Sequence, residues 1–151
     1  ELGAETVIVT EEEDLVGRLQ KVTESRGVDV VLDACGGSQM KLLGDVMAPL
    51  GKLILYGMNG GNETALPVCA AFKKNFKFFL HCLCDFTGQP ELGIEQNREA
   101  VERALQHINQ LTVARLIWPQ LDRQFPFAQA VEAHQYVESG VPRGRVVLTL
   151  N

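Results

Sequence analysis

Short apolar runs alternate with amphipathic segments throughout this 151-residue chain, and this alternation restricts its fold more than any other feature. Five runs have the apolar and β-branched content of strands, and they lie at residues 6–9, 28–33, 52–57, 76–84 and 145–150. Apolar residues recur at helical spacing between them, at residues 15–22, 43–50, 67–74, 97–108 and 128–139. This order predicts an α/β fold with a mostly parallel sheet.

Local signals predict where some of these elements begin and end. Thr10 and Glu13 have the spacing of a capping box, which indicates a helix start, and Gly27 can end that helix. Asn97 is the predicted N-cap of a later helix. Residues 85–96, which precede that helix, are predicted to form a loop.

The bulk composition is that of an ordinary globular domain. Hydrophobic residues make up 46% of the chain and charged residues 22%, and this length suffices for one domain with a core. The net charge of −5 argues against a nucleic-acid-binding protein. No apolar run approaches the roughly 20 residues of a membrane helix, and the first residues lack the pattern of a signal peptide. We therefore expect a cytoplasmic protein with no nucleic-acid or membrane partner.

The four cysteines could form disulfides, a metal site or free thiols. Cys35, Cys69, Cys82 and Cys84 each lie in an apolar stretch, and none forms a C-x-x-C pair. Cys82 and Cys84 would share one face of a strand, with His81 on the other, and their spacing does not match zinc ligand patterns. We expect buried free thiols in a reducing compartment and no zinc site within this chain.

Four stretches carry a resemblance to a known family. They are Leu2-Gly3-Ala4 before the first strand, residues 27–33 followed by Gly36-Gly37, residues 50–57, and a terminal set at 125–127, 130–134 and 144–148. In this order they resemble the medium-chain dehydrogenase/reductase superfamily, and within it the quinone oxidoreductase-like and zinc alcohol dehydrogenase-like members. The resemblance covers essentially the whole chain and implies the carboxy-terminal part of the cofactor-binding domain of an NAD(P)-dependent oxidoreductase.

The resemblance also implies an incomplete fold. The first two strands of the family's doubly wound sheet are absent, and with them the G-x-G-x-x-G loop that binds the pyrophosphate and the strand end that selects NAD or NADP. The family's amino-terminal catalytic domain, which holds the zinc ligands of zinc-dependent members, is absent too. We therefore expect residues 1–151 to form a single incomplete NAD(P)-binding domain: a partial Rossmann-like, mostly parallel sheet with a carboxy-terminal helix and strand.

The missing strands leave a gap between two predicted strands. In the family order 3-2-1-4-5-6 they lie between the segments at 6–9 and 28–33, and they would occupy roughly 10 Å. An unfilled gap would expose backbone donors and acceptors along both edges. Three alternatives remain: further chain fills the gap, the two segments pair directly, or a partner subunit fills it.

The resemblance assigns cofactor contacts to Gln39, Tyr56, Gly57, Met58, Asn59, His81, Cys82, Leu83 and Arg145. Gln39 follows the family's fourth strand. Residues 56–59 form the loop after the fifth strand, which passes the nicotinamide ribose. The segment 81–83 matches the sixth-strand backbone that holds the carboxamide. Arg145 takes the place of the usual Lys and would face a phosphate. No catalytic residue is assigned within this chain.

Several of these assignments have a structural alternative. Gly57 could serve only a turn, and Gln39 only the first turn of a helix. His81 on an apolar strand is more typical of a core histidine than of a catalytic one. Asp29 and Asp33 are four residues apart on a strand, so they face the same way and could form an acid–base pair. In this fold, strand-end hydrogen bonding explains them better.

Two functional classes fit the sequence. In the first, the chain is part of an oxidoreductase that transfers a hydride between NADP or NAD and a quinone, enone or other small carbonyl, and it is inactive alone. In the second, it is a non-catalytic binding or dimerisation module. The strand at 76–84, from Phe76 to Cys84, would be a sheet edge, where an apolar strand invites pairing. The family joins two subunits there, so we expect a homodimer; a covering helix is the alternative.

Overall fold

A computed structural model describes residues 3–150, and the chain divides into two compact units, residues 1–96 and 97–151. In chain order, the first unit contains α1 (Leu15–Val22), β1 (Val28–Asp33), α2 (Met40–Val46), β2 (Met47–Leu55), α3 (Val68–Lys74), β3 (Lys77–Leu80) and α4 (Cys84–Thr87). Two further short turns are 3-10 helical, at Gly37–Gln39 and Pro90–Leu92.

The strands of the first unit form one parallel sheet in the order β1-β2-β3. Val31 of β1 lies opposite Leu53 of β2, which lies opposite Phe78 of β3. Parallel neighbours need a crossover connection, and α2 and α3 provide it between successive strands. This arrangement confirms the predicted α/β organisation with a parallel sheet.

The core of the first unit lies on one face of this sheet. Its buried centre is formed by Met40 of α2 with Met47, Leu53, Leu55 and Phe76. The side chains that point to the other face of β1 are different: Val30 is 52% exposed and Leu32 is 66% exposed. One face of the sheet is therefore packed, whereas the other presents apolar side chains at the surface of this unit.

The strand predicted at residues 6–9 does not form. These residues belong to neither sheet of the described chain, and Val7 is 70% exposed. Direct pairing beside β1, one of the alternatives for the gap, is therefore wrong. The physical reason is that a strand needs a neighbour for its backbone groups, and the family's neighbour of this segment is one of the missing strands.

The first helix begins later than the predicted capping box. Asp14 is the N-cap of α1, and its Oδ1 accepts a hydrogen bond from Val16 N at 3.1 Å. Glu13 instead accepts from Val9 N at 3.1 Å and forms an ion pair with Arg18 at 2.8 Å. Glu13 thus stabilises the turn before the helix rather than the helix start itself.

The boundary between α2 and β2 also differs from the prediction. The helix ends at Val46 and the strand follows at once from Met47, whereas the apolar spacing predicted a helix through residue 50. Pro49 disfavours the helical conformation at the preceding residue, Ala48. Met47 and Ala48 are buried as part of the strand, at 1% and 2% exposure.

The third strand is shorter than the predicted segment 76–84. The ladder between β2 and β3 ends where Leu55 pairs with Leu80, because β2 itself ends there. One more bond, from His81 N to Leu55 O at 2.9 Å, continues the contact. The chain then turns into α4, so the predicted loop at 85–96 begins with a helical turn.

The second unit contains α5 (Arg98–Val113), β4 (Leu121–Pro126), α6 (Ala130–Glu138) and β5 (Arg145–Thr149), and β4 and β5 pair in parallel. Asn97 caps α5 as predicted, since its Oδ1 accepts from Ala100 N at 3.0 Å. Tyr136 of α6 donates from Oη to Asp122 Oδ2 of β4 at 2.8 Å. This hydrogen bond links the helix to the sheet of the unit.

Candidate functional site

The predicted cofactor-contacting residues of the first unit lie at the carboxyl ends of its strands. Tyr56 N donates to Asp33 O at 2.9 Å, which places the loop after β2 beside the end of β1. His81 N donates to Leu55 O at 2.9 Å, which places the 81–83 segment beside the end of β2. Ligands of open parallel α/β sheets bind at this end, so the loops form a candidate cofactor site.

Asp33 organises the turn after β1. Its Oδ1 accepts from Cys35 N at 2.9 Å and its Oδ2 from Gly36 N at 3.0 Å, which confirms strand-end hydrogen bonding. Asp29 forms an ion pair with Arg26 at 2.6 Å instead. The hydrogen bond from Arg26 holds the pKa of the Asp29 carboxyl below its ordinary value. The two carboxylates therefore have separate structural partners.

A second set of hydrogen bonds joins the loops after β1 and β2. Gly37 N donates to Thr64 Oγ1 at 2.9 Å, and Gly60 N donates to Cys35 O at 2.7 Å. These bonds hold the Gly37–Gln39 turn against the longer loop after β2. Thr64 was not singled out from the sequence because 27 residues separate it from its partner, and no local pattern indicates such a bond.

Gly57 lies where the backbones of the two loops come closest. A Cβ atom at this position would lie 2.5 Å from Ala34 O, well inside contact distance. Ala34 O also accepts a hydrogen bond from Asn59 N at 3.3 Å. Glycine is therefore required here by the close approach of two chain segments.

Side chains at this end of the sheet face solvent. The predicted contact residues whose side chains are exposed in the two loops are Gln39, Tyr56, Met58 and Asn59. His81 is exposed as well, and its ring lies 5.6 Å from that of Phe86, between ring centroids. The interpretation of His81 as a core histidine is therefore wrong. The strand β3 ends at Leu80, and the side chain of His81 lies at the surface.

The prediction that the cysteines are buried is wrong. Cys35, Cys69 and Cys82 are exposed, Cys84 is half-buried, and all four are free. Cys82 and Cys84 follow β3 rather than sharing one of its faces, because the strand ends at Leu80. A hydrogen bond between the two thiols raises the pKa of Cys84.

Arg145 begins β5 in the second unit. Its N–H donates to Gln120 O at 2.7 Å, and its side chain is exposed. The turn before it is fixed by Asp122, whose carboxylate accepts from Arg143 N at 3.0 Å and from Tyr136 Oη at 2.8 Å. These bonds lower the pKa of Asp122, and the one from Tyr136 raises the pKa of that phenol.

Within residues 3–150, no group of three or more His, Cys, Asp or Glu side chains is placed so that it could hold a metal ion. The same part of the chain contains no helix long and apolar enough to cross a membrane.

Comparison with known proteins shows the family. The sequence profile of the zinc-binding dehydrogenase family matches residues 2–148, so the chain belongs to that family. The synaptic vesicle membrane protein VAT-1 homolog of Rattus norvegicus is 25% identical over 147 residues, and quinone oxidoreductase 1 of Escherichia coli is 27% identical over 149 residues. These matches cover 89% and 97% of this chain, but only 35% and 43% of those proteins.

Solved structures show the same fold. The Escherichia coli quinone oxidoreductase complexed with NADPH matches with a TM-score of 0.80 and 25% identity, over 97% of this chain and 43% of that one. An NAD-dependent alcohol dehydrogenase matches with a TM-score of 0.78 over 99% of this chain and 39% of that one; at 19% identity, the likeness is in fold alone. The predicted superfamily and the partial Rossmann-like fold are confirmed, and the chain spans less than half of each relative.

Proposed function

We propose that this chain is the carboxy-terminal part of an NAD(P)-dependent oxidoreductase and supplies the nicotinamide side of its cofactor site. In the whole enzyme a hydride passes between NADP or NAD and a quinone, enone or other small carbonyl, and the cofactor supplies the chemistry. One observation carries the proposal: the Gln39 turn, the 56–59 loop and the 81–83 segment all lie at the carboxyl ends of parallel strands. The likeness to an enzyme complexed with NADPH supports it.

The 56–59 loop is suited to contact the nicotinamide ribose because its backbone is already fixed. Tyr56 N and Asn59 N both donate to carbonyls at the end of β1. The side chains of Tyr56 and Met58 are left 54% and 65% exposed. A loop held in this way loses little conformational entropy when a ligand binds.

The 81–83 segment is suited to hold the carboxamide through its backbone. A carboxamide has a carbonyl acceptor and an NH₂ donor, so it pairs with peptide groups in a fixed orientation. His81 N is tied to Leu55 O at 2.9 Å, and Leu83 O accepts from Phe86 N at 3.0 Å. Both ends of the segment are therefore anchored to regular structure.

The isolated chain is not expected to retain a whole dinucleotide. The pyrophosphate of the cofactor is bound in this fold by the glycine loop after the first strand and the following helix N-terminus. The sequence contains no G-x-G-x-x-G. We therefore propose that the chain alone is inactive and binds neither NADPH nor NADH at micromolar concentration.

The two halves of the cofactor provide the test. Reduced nicotinamide mononucleotide, titrated into the ¹⁵N-labelled chain, should bind with a Kd on the order of 1 mM, or about 4 kcal/mol. The amide shifts should change mainly at 56–59 and 81–83. Adenosine diphosphate should cause no comparable changes, because its binding groups are not in this chain. Shift changes spread over the first unit, or equal changes with both ligands, would contradict the proposal.

Two exposed asparagines of the same loop make a matched pair of variants. Asn59→Ala removes a side chain of the proposed site and should weaken mononucleotide binding severalfold. Asn62→Ala removes a similarly exposed side chain outside the assigned residues and should leave the Kd unchanged. If both variants bind equally well, the 56–59 loop is not the contact.

A dimerisation module is the second candidate function, and β3 is the feature that favours it. It is an outer strand of its sheet, and Phe79 and Leu80 are 46% and 71% exposed. Two copies related by a twofold axis could pair at this edge and continue the sheet. A chain that dimerises but gives no response to nicotinamide mononucleotide would favour the module over the oxidoreductase part.

The proposed location is the cytoplasm. All four cysteines are free, and thiols stay reduced in that compartment, where structural disulfides are rare. Measuring where a fluorescently tagged version of the protein accumulates in the cell tests this location.

A further inference from the structure

We infer that Cys82 and Cys84 form an intramolecular disulfide when the protein meets a small-molecule disulfide such as oxidised glutathione. The bond would lie within and next to the 81–83 segment, so it would regulate the proposed nicotinamide contact. The regulatory consequence rests on the proposed function, whereas formation of the disulfide does not.

The turn after β3 brings the two thiols together. Asp85 N donates to Cys82 O at 3.1 Å, so residues 82–85 form a tight turn at the start of α4. Cα atoms two residues apart on such a turn are roughly 5–6 Å from each other, within the range of about 4.4–6.8 Å that disulfides span. Cys82 is also the main cause of the raised pKa of Cys84, as expected for two thiols that lie close together.

Their exposure assigns a role to each sulfur. Cys82 is exposed and Cys84 half-buried, so the Cys82 thiolate attacks the oxidant, releases one small thiol and carries a mixed disulfide. The Cys84 thiol then loses its proton to solvent, attacks Cys82 Sγ and releases the second small thiol. Two electrons and two protons leave the pair, and the oxidant is reduced to two thiols. The second step becomes faster as pH increases, because the thiolate rather than the thiol is the nucleophile.

The other two cysteines serve as internal comparisons. Cys35 lies in the loop after β1, and Cys69 lies in α3. Both are exposed, so both can take up glutathione. They belong to different elements of the fold, and a mixed disulfide on either should persist rather than resolve into an internal bond.

The test is the mass of the intact chain after treatment with oxidised glutathione. The Cys35→Ser/Cys69→Ser variant keeps only the pair, and its product should be lighter by two hydrogen atoms, with no glutathione attached. In the same background, Cys84→Ser should retain one glutathione on Cys82. A Cys35→Ser/Cys69→Ser product that keeps glutathione, or that stays fully reduced under conditions that modify Cys84→Ser, would overturn the inference.

A second readout separates this inference from the proposed function. The oxidised variant, titrated with reduced nicotinamide mononucleotide, should lose the shift changes at 81–83 and keep those at 56–59. If the mass shows the disulfide but neither form binds the mononucleotide, the proposed function fails and the disulfide stands. If the mononucleotide binds and no disulfide forms, the inference fails alone. The Cys82→Ser/Cys84→Ser variant should bind glutathione at the remaining cysteines without an internal bond.

Discussion

The loops after β1 and β2 can approach each other closely because the residues at their contact are glycines, which have no Cβ. A Cβ at Gly37 would lie 2.6 Å from Gly60 O, and the residue also has a φ of +71°. Two separate costs therefore oppose any substitution: the left-handed backbone, about 1–2 kcal/mol, and the collision with the facing carbonyl. The second cost exists only if the loops approach as closely as they do in the structure.

Gly93 allows the two costs to be separated. Its φ of +72° matches that of Gly37, but a Cβ there would meet nothing within 4 Å. Gly93→Ala should lower the free energy of unfolding by about 1 kcal/mol, and Gly37→Ala by at least twice that. Urea denaturation measures both values. Equal losses would mean that the loops do not come this close in solution.

The carboxylate of Asp33 should matter more for stability than that of Asp29. Asp33→Ala leaves two backbone N–H groups of the following turn without their acceptor, which costs about 1–3 kcal/mol for hydrogen bonds to a charged group. Asp29→Ala removes an exposed ion pair with Arg26, which contributes little. Chemical denaturation should give a clearly larger loss for Asp33→Ala. The opposite order would show that the turn is not held by Asp33.

What the sequence revealed at this scale depended on how local the interaction is. The role of Asp33 was predictable because its partners are two and three residues away, as at many strand ends. The bond from Gly37 to Thr64 was not, because 27 residues separate the two and only the fold brings them together. The exposure of Cys35, Cys69 and Cys82 is not predictable from the apolar residues beside them, because neighbours in sequence do not have to cover a side chain in space.

Helices and strands are also predictable from the sequence where their bounds have a local cause, and not where the cause is tertiary. β1 and the start of α5 match the prediction, since an apolar run and an Asn cap are enough to define them, but α5 continues to Val113, beyond the predicted range 97–108. Residues 6–9 have the composition of a strand but no neighbouring strand in the described chain. β3 ends at Leu80 because β2 ends at the paired Leu55, and such a limit is not contained in the apolar pattern of one segment.

The contact between β4 and α6 should make the stability of the second unit depend on pH at both extremes. The folded-state pKa of Asp122 is lowered from 3.8, so its contribution is present above that value and is lost as pH falls through the folded pKa. The pKa of Tyr136 is raised from 10.0, so its contribution is present below that value and is lost as pH rises through the folded pKa.

Substitutions at Asp122 and Tyr136 test which residue causes the loss of stability at acid pH and which at alkaline pH. Asp122→Asn should remove the acid dependence of the second unit and weaken the alkaline one, because Asp122 is the main cause of the raised pKa of Tyr136. Tyr136→Phe should remove the alkaline dependence and leave an acid one, because Arg143 N still donates to Asp122. Amide shifts of β4 and β5, followed through a pH titration, report on this unit. Acid and alkaline transitions that persist unchanged in these variants would assign the pH dependence to other groups.

At the scale of the whole molecule, the two outer strands of the first sheet have different expected neighbours. β1 is the strand beside which the family places its first strand, and its Val30 and Leu32 are exposed on the face outside the core. β3 lies at the opposite edge, where a second copy could pair. The parallel α/β fold is thus predictable from the pattern of the chain. Whether β1 or β3 has a further neighbour is not, because neither edge pairs with another strand within residues 3–150.

Lysine substitutions on β3 test the homodimer. Wild-type chain should scatter light as a dimer, and Phe79→Lys should give a folded monomer because Phe79 is 46% exposed on the outer strand. Phe78 is a poor choice for this test: it packs against the buried core, so Phe78→Lys should unfold the unit instead. Leu42→Lys, at an apolar α2 position that is 40% exposed, is the matched control and should remain dimeric. A dimer that survives Phe79→Lys would place the contact at another edge, and loss of the dimer in Leu42→Lys would place it near α2.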